Sequence, residues 1–512
     1  MQGKNNPKIM NSWAMYDWAN SVYSLVITST IFPIFYAAKT AGNKQLVNGN
    51  EVDFVVFFGR QFINNELYSY VFSASFFVVV LLAPLLSGIA DYTDGKKTFL
   101  KIFMTLGSIS CMSLYFFDVN RLELSMASIF FASLGFWGSL VYYNAYLPQI
   151  ASTEIQDKIS AKGFSLGYIG SVLLLVIILV LMKGFAIIKV EETFVIVGIW
   201  WIVFGWFFVQ RLPKGAPKKK KGSLFTNGYK ELQNTFLEFT KQKQTLRYLL
   251  AFFVFNTGIQ TVMLLAAMFG EKEINWPIDA QGNKDTTGLI ISIIVIQIIA
   301  IGGATAMSRL SKKYGNVRVL QFSLLLWVLA ASFAYFITEP KEFYVLAALV
   351  GFVMGGTQSL SRSTYSKLLP ETNDYASYFS FYEVLEKIGL IIGPTLFGLA
   401  IAITGTMRTS VLVMISFFIV GLVLLFLVKN FGYTIEAIET DIDGVFYGKP
   451  DLADYDNDGD LDLLVTGLSN PDGTTPISTI YRQSSSGQFS PDLTLSLDSV
   501  GYSSSSWADY NN

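Results

Sequence analysis

Apolar runs long enough to form membrane-crossing helices recur twelve times in this chain, and no other feature limits its fold as much. A helix needs about 20 apolar residues to cross a hydrocarbon layer roughly 30 Å thick. The runs fall at about 12–37, 69–88, 99–117, 123–147, 163–184, 192–210, 246–269, 288–307, 318–337, 343–365, 381–404 and 409–429. With 52% hydrophobic and only 15% charged residues over 512 positions, the chain is too apolar for a soluble protein of that size. The predicted fold class is an all-α polytopic membrane protein, with the lipid bilayer as its first partner. A net charge of −1 gives no reason to expect nucleic acid. One cysteine, Cys111, excludes a disulfide framework within the chain, and the lack of histidine excludes histidine catalysis. The first run carries Asp17 and continues past signal-peptide length, so no cleavable signal is expected.

Basic residues then give a sidedness. Alternate loops hold Lys96 and Lys97; Lys158 and Lys162; the lysines 218–221; and Arg309, Lys312, Lys313 and Arg318. The intervening loops are poorer or mixed, as with Asp118, Arg121 and Glu123, or Glu339, Lys341 and Glu342. The positive-inside rule therefore places the N-terminus and the end of the twelfth run in the cytoplasm. The expected organisation is a six-helix bundle over 1–210, a basic linker over 211–245 and a second bundle over 246–430. Within the linker, 229–239 is polar with an amphipathic character, and the lysine run either anchors it inside or meets anionic lipid.

Between the second and third runs stand Gly88, Asp91, Asp94, Gly95, Lys96 and Lys97. This G-x-x-D-x-x-D-G-K-K pattern resembles, with shifted glycine spacing, the signature loop of the major facilitator superfamily. The resemblance implies that Gly88 permits close helix packing and that Asp91 engages the cytoplasmic end of a helix in the other half. Gly95 and Lys96 join the gating set. The alternative is an ordinary charged turn. The matching loop in the second half, 308–318, repeats glycine and basic residues but lacks the aspartate.

In the first run, Asp17 and Asn20 share a helix face. A charge costs roughly 2.5–3.5 kcal/mol at the bilayer centre, so Asp17 should face protein or a water-filled cavity. It alternatively sits at the interface with Trp13, Tyr16 and Trp18 as an aromatic belt. The string W-A-x-Y-D-W-A-N-S-x-Y over 13–23 resembles the opening of the vacuole-effluxer-like branch of that superfamily, related to the autophagy-associated vacuolar amino-acid exporter. Blocks at 142–148, 160–170, 355–363, 369–370, 378–383 and 393–394 agree with it. Asn256 stands where an aspartate is expected, which leaves proton or substrate coupling open. Asp17, Asn20, Asn144 and Gln358 are the candidates for the substrate pathway. Arg362 lies four residues after Gln358, on the same face. It either clamps a substrate carboxylate or pairs with Glu383 or Glu386 to close an inner gate, the second being preferred. A local Glu383–Lys387 salt bridge is the competing arrangement. Gly163, Gly167 and Gly170 are at helix-packing spacing and are expected to ease rocking between bundles.

Composition changes after residue 430. Asp454, Asp456, Asp458, Asp460 and Asp462 alternate around Gly459, offering the oxygen ligands a hard cation such as calcium needs. The loop resembles the calcium loop of FG-GAP (VCBS) repeats, and a second copy starts at Trp507, 55 residues after the first. Residues 431–512 are thus expected to form a short β-rich, partial propeller blade with calcium as its ion. Truncation or misjoining of two coding sequences is preferred over a native fusion, since such loops work outside cells and this one is placed inside.

The whole reads as a secondary active transporter of a small solute, an amino acid by resemblance, in the major facilitator fold of two six-helix bundles. Protons are its expected coupling ion, the bacterial inner (plasma) membrane its expected location, and a monomer its expected state. No nucleotide loop or catalytic constellation suggests an enzyme. The competing class is a non-transporting sensor or adhesion protein that uses the calcium-binding tail.

Overall fold

The computed structural model describes residues 4–47, 50–215, 223–277, 287–430, 442, 444–456, 461–470, 474–483, 489–492, 494–495 and 497–503. It divides into two units, Met1–Tyr433 and Thr434–Asn512. The first holds twelve helices long and apolar enough to cross a membrane. We number these spans 1 to 12: Pro7–Thr40, Asn64–Thr93, Lys96–Phe116, Val119–Ile150, Gln156–Gly184, Val190–Val209, Lys243–Glu273, Gly288–Tyr314, Asn316–Phe336, Pro340–Leu368, Tyr375–Thr404 and Met407–Leu425. Helices dominate because lipid offers no partner to a backbone N–H or C=O, so each segment must satisfy its own.

Most spans extend past the apolar run that announces them, because polar caps prolong the helix beyond the hydrocarbon. Asn6 caps span 1 by accepting from the Lys8 N–H at 3.0 Å, with Pro7 at the first turn. Span 10 starts with Pro340 after a Glu339–Glu342 capping box. Span 1 widens to a π-helical stretch over Tyr23–Ile31. There the Thr30 hydroxyl donates to the Leu25 carbonyl, five residues back, at 2.8 Å. Pro33, just beyond, supplies no N–H to the preceding turn.

Spans 1 to 6 pack chiefly on one another (1 on 5 and 6, 3 on 4 and 6, 2 on 4), as do spans 7 to 12 (8 on 10, 12 on 7 and 9, 11 on 7). The two halves meet where span 2 lies on span 11 and span 5 lies on spans 8 and 10. Small residues allow the closest approaches: a Cβ on Gly355 would stand 2.1 Å from the Ala300 carbonyl oxygen, joining spans 10 and 8. Asn5 donates to Ser152 and Asn430 donates to the Tyr314 carbonyl, so both ends of the unit lie on the side of the even-to-odd loops. We call this the terminal side.

Two elements supplement the spans. Between spans 1 and 2, β1 (Lys44–Val47), β2 (Asn50–Phe57) and β3 (Arg60–Ile63) form an antiparallel sheet that the apolar pattern did not announce. Phe58 and Gly59, at φ of 47° and 72°, make its β2–β3 turn. The expected amphipathic stretch of the linker is a helix, Leu224–Lys241, longer than foreseen. Lysines 218–221 lie outside the described residues.

The second unit is a four-stranded antiparallel meander of β4 (Phe446–Ala453), β5 (Asp462–Leu468), β6 (Pro476–Gln483) and β7 (Phe489–Pro491). Asp454, Asp456 and Asp462 bring carboxylate oxygens within 4.8 Å of one another. Asp458, Asp460 and the second copy from Trp507 lie outside the described residues.

Candidate functional site

Arg362, on span 10, is 3% exposed. Its Nη1 lies 3.3 Å from Asp17 Oδ2 on span 1 and 3.2 Å from Asn144 Oδ1 on span 4. Its Nε donates to Ser160 Oγ at 3.0 Å and its Nη2 to the Ser160 carbonyl at 2.9 Å, both on span 5. The rings of Phe164, Trp13 and Tyr143 enclose the guanidinium carbon at 4.2, 4.8 and 5.4 Å. Each donor is thereby satisfied, which a buried cation requires. Asp17 also accepts from the Tyr143 hydroxyl at 2.7 Å. Every one of these partners belongs to the first half, whereas Arg362 belongs to the second.

This corrects the expected pairing of Arg362 with Glu383 or Glu386. Glu383 is held instead by Lys387, one turn along span 11, at 2.9 Å, and by the Asn144 amide at 2.8 Å. Asn144 thus bridges two ion pairs, its oxygen towards Arg362 and its nitrogen towards Glu383. Glu386 lies 3.3 Å from Lys387 and accepts from Gln260 of span 7 at 3.2 Å. Trp13 and Tyr16 are fully buried, so neither faces lipid as part of an aromatic belt.

The remaining pathway candidates are near but separate. Gln358, one turn from Arg362, accepts from the Tyr168 hydroxyl at 2.7 Å, another contact between halves. Asn20 is 1% exposed and its Nδ2 has no partner among the described residues. Of the three glycines of span 5, Gly167 and Gly170 face span 1 within the same half, which corrects the expectation that they ease rocking between bundles, whereas Gly163 faces both span 1 and Arg362 of the other half. A Cβ on Gly163 would meet Asp17 Oδ2 at 2.6 Å and Arg362 Nη2 at 3.0 Å; one on Gly167 would meet Ser21 Oγ at 2.5 Å. Gly170 lies against Trp18.

On the terminal side Asp91 reaches the start of span 11, accepting from the N–H groups of Ser377 at 2.7 Å and Ala376 at 3.2 Å. A carboxylate there meets both unpaired donors and the positive end of the helix dipole. Lys96 donates to the Asn373 carbonyl at 2.7 Å and lies 3.4 Å from Asp91. Asp94, at φ 50°, ends span 2, and Gly95 precedes span 3. Gly88 makes its close approach to the linker helix: a Cβ there would stand 2.3 Å from the Gly228 carbonyl oxygen.

Sequence reasoning missed a second terminal-side contact. Asp157, in the first turn of span 5, accepts from Ser311 at 2.8 Å, Asn316 at 2.7 Å and Lys367 at 2.7 Å, from spans 8, 9 and 10. The loop 308–318 was singled out only as a weak repeat, and an acid at a helix start ordinarily reads as a dipole partner.

Twelve spans in this packing, with buried charges joining the halves, define a major facilitator fold. The human organic anion transporter MFSD10 superposes with a TM-score of 0.60 at 13% identity, covering 82% of this chain and 100% of that one. The outward conformation of FucP, a major facilitator transporter, gives 0.60 at 11% identity, covering 83% and 99%. The family model described as "Vacuole effluxer Atg22 like" matches residues 5–431, and the chain belongs to that family. It is 28% identical over 430 residues to YxiO of Bacillus subtilis (strain 168), an uncharacterized MFS-type transporter, covering 82% of this chain and 95% of that protein. It is 23% identical over 481 residues to autophagy-related protein 22 of Yarrowia lipolytica (strain CLIB 122 / E 150), covering 75% and 80%. YxiO, MFSD10 and FucP are each described as transporters.

Proposed function

We propose that this integral membrane protein moves a small solute, an amino acid as the expected class, by alternating access with protons as coupling ion. The observation carrying this reading is Arg362, a buried cation of the second half held wholly by first-half groups. Such a contact must break when the halves rock apart, and a zwitterion brings a carboxylate for Arg362 and an ammonium for Asp17. Asp17, Asn144 and Gln358 line this path with Asn20 behind, and Asp91, Lys96, Gly88, Gly95, Glu383 and Glu386 belong to the closure. The contacts at Asp91 and Asp157 close the terminal side, which basic loops assign to the cytoplasm. The protein acts as a monomer in the bacterial plasma membrane on this reading.

The test is counterflow of a pooled radiolabelled amino-acid panel into proteoliposomes holding the full chain. Saturable exchange, reduced at least tenfold in Arg362→Ala and Asp17→Asn, is the expected result. No exchange by monodisperse wild-type protein across the panel removes the amino-acid assignment.

For the tail, Asp454, Asp456 and Asp462 fit a hard cation, and Asp456 Oδ1 has no hydrogen-bond partner among the described residues. Arg482, 3.4 Å from Asp456, already neutralises part of that charge. Calcium titration of the full chain beside Asp462→Asn distinguishes the two: calorimetric binding lost in the variant supports the ion, and no heat in wild type removes it.

A further inference from the structure

Buried polar groups where the halves meet form one chain across four spans: Asp17, Arg362, Asn144, Glu383, Lys387, Glu386. Its links are 3.3, 3.2, 2.8, 2.9 and 3.3 Å. Three carboxylates alternate with two cations, so fully ionised the chain carries one negative charge too many. The surplus lies where a low dielectric strongly penalises net charge.

The acids differ in how well they are held. Asp17 has Arg362 and the Tyr143 hydroxyl, and Glu383 has Lys387 and the Asn144 amide at short distances. Glu386 has the far share of Lys387 and one neutral amide, from Gln260. It is also the most exposed of the three acids, at 14% of its side chain against 8% for Asp17 and 1% for Glu383. A metal cation has no place beside it, because the Lys387 ammonium already sits between both carboxylates, with the Trp137 ring 3.8 Å away.

Among the described residues, the elements packed on span 11 supply no further compensating charge beside Glu386. Span 7 presents Gln260 and, four residues earlier on the same face, Asn256, 5% exposed with Nδ2 unpartnered among the described residues. The charged residues of span 7 are confined to its ends: Lys243, Arg247, Glu271, Lys272 and Glu273. Span 2 has only Glu66 and Asp91, near its ends, and span 12 only Arg408, which pairs with Glu273. Span 4 contributes Asn144 and Trp137, the linker helix meets span 11 through Phe236 and Phe239, and Tyr382 stacks on Phe252.

We propose that Glu386 is the proton-binding site of this transporter, taking the one proton that neutralises the chain. This rests on the proton-coupled reading above and gives it a residue. Protonating Glu386 releases its share of Lys387 to Glu383. Glu383 holds Asn144 across the halves, so the proton is read where the halves join.

The test needs no substrate: infrared titration of the full chain in liposomes, following the carboxylic-acid C=O stretch from alkaline to acidic buffer. A buried carboxylic-acid band, distinct from any lost in Asp91→Asn at another buried acid (2%), should appear on acidification, be lost in Glu386→Gln and persist in Glu371→Gln, a change at an exposed acid (90%). Lys387→Met leaves three acids facing one cation and should roughly double the band. Survival of that band in Glu386→Gln, or its absence in wild type, overturns the site, as does an unchanged band in Lys387→Met. Counterflow without the band removes only the proton site, and the band without counterflow removes only the transport reading.

Discussion

Asp91 and Asp157 perform one task with different chemistry. Both are first-half carboxylates that join the halves on the terminal side, one at spans 2 and 11, the other at spans 5, 8, 9 and 10. Asp91 binds backbone: it caps the start of span 11 from across the interface. Asp157 sits at a helix start itself and gathers three side chains, Lys367 among them. Were the halves alike in polarity, an acid in the 308–318 loop would cap span 5, but that loop has none. The acid has moved to the capped helix, and the loop region supplies Ser311 and Asn316 as donors. The first contact also carries a cover that the second lacks. The helix Leu224–Lys241 packs on span 2 through Gly88 and Gly228, and on span 11 through Phe236, Phe239 and Phe381.

The largest expected effect is at Asp91. Asp91→Ala leaves Lys96, 3% exposed in its side chain, with the neutral Asn373 carbonyl at 2.7 Å and with Asp94 as its nearest carboxylate among the described residues, at 3.9 Å, and strands two N–H groups. A loss of about 4 kcal/mol should appear in unfolding followed by tryptophan fluorescence. Asp157→Ala should cost less, about 3 kcal/mol on the same scale, because Lys367 is 11% exposed and can turn towards water. Equal losses would mean the cap on span 11 adds nothing.

Gly88→Ala should cost about 2 kcal/mol by pushing the linker helix off span 2. It should act on one side only. In a Cys111→Ser background, Ser380→Cys should then label faster with an impermeant thiol reagent while Ser363→Cys stays protected. Faster labelling at both positions would show that the linker helix supports the whole interface. Ser311→Ala removes one of three donors to Asp157 and should cost about 1 kcal/mol, leaving Ser380→Cys protected. An effect as large as that of Asp157→Ala would make the hydroxyl, not Lys367, the principal partner.

Legibility in the sequence follows from how local each constraint is. Spans are legible because lipid forces about 20 apolar residues into each crossing helix. The Asp91 contact is legible because its motif is contiguous, although its glycine turned out to face the linker helix. Arg362 and Asp17 are each legible as charges within spans, but they lie 345 positions apart and no local pattern joins them, whereas the place of Arg362 towards one end of its span points to Glu383 or Glu386. The Asp157 cluster draws on four spans through residues that singly resemble solvated helix ends. The first sheet escaped notice because a hairpin outside the membrane has no apolar period to announce it.

The sequence by itself determined that this chain crosses a membrane twelve times, that its halves are joined by a basic linker, and that a few charges must lie buried. Helix formation in lipid is decided within each segment, so local composition suffices for that. Tertiary structure alone decided which charge meets which. Pairing depends on how helices far apart in the chain rotate and approach, as where the absent side chain of Gly163 leaves room for Asp17 and Arg362 to meet.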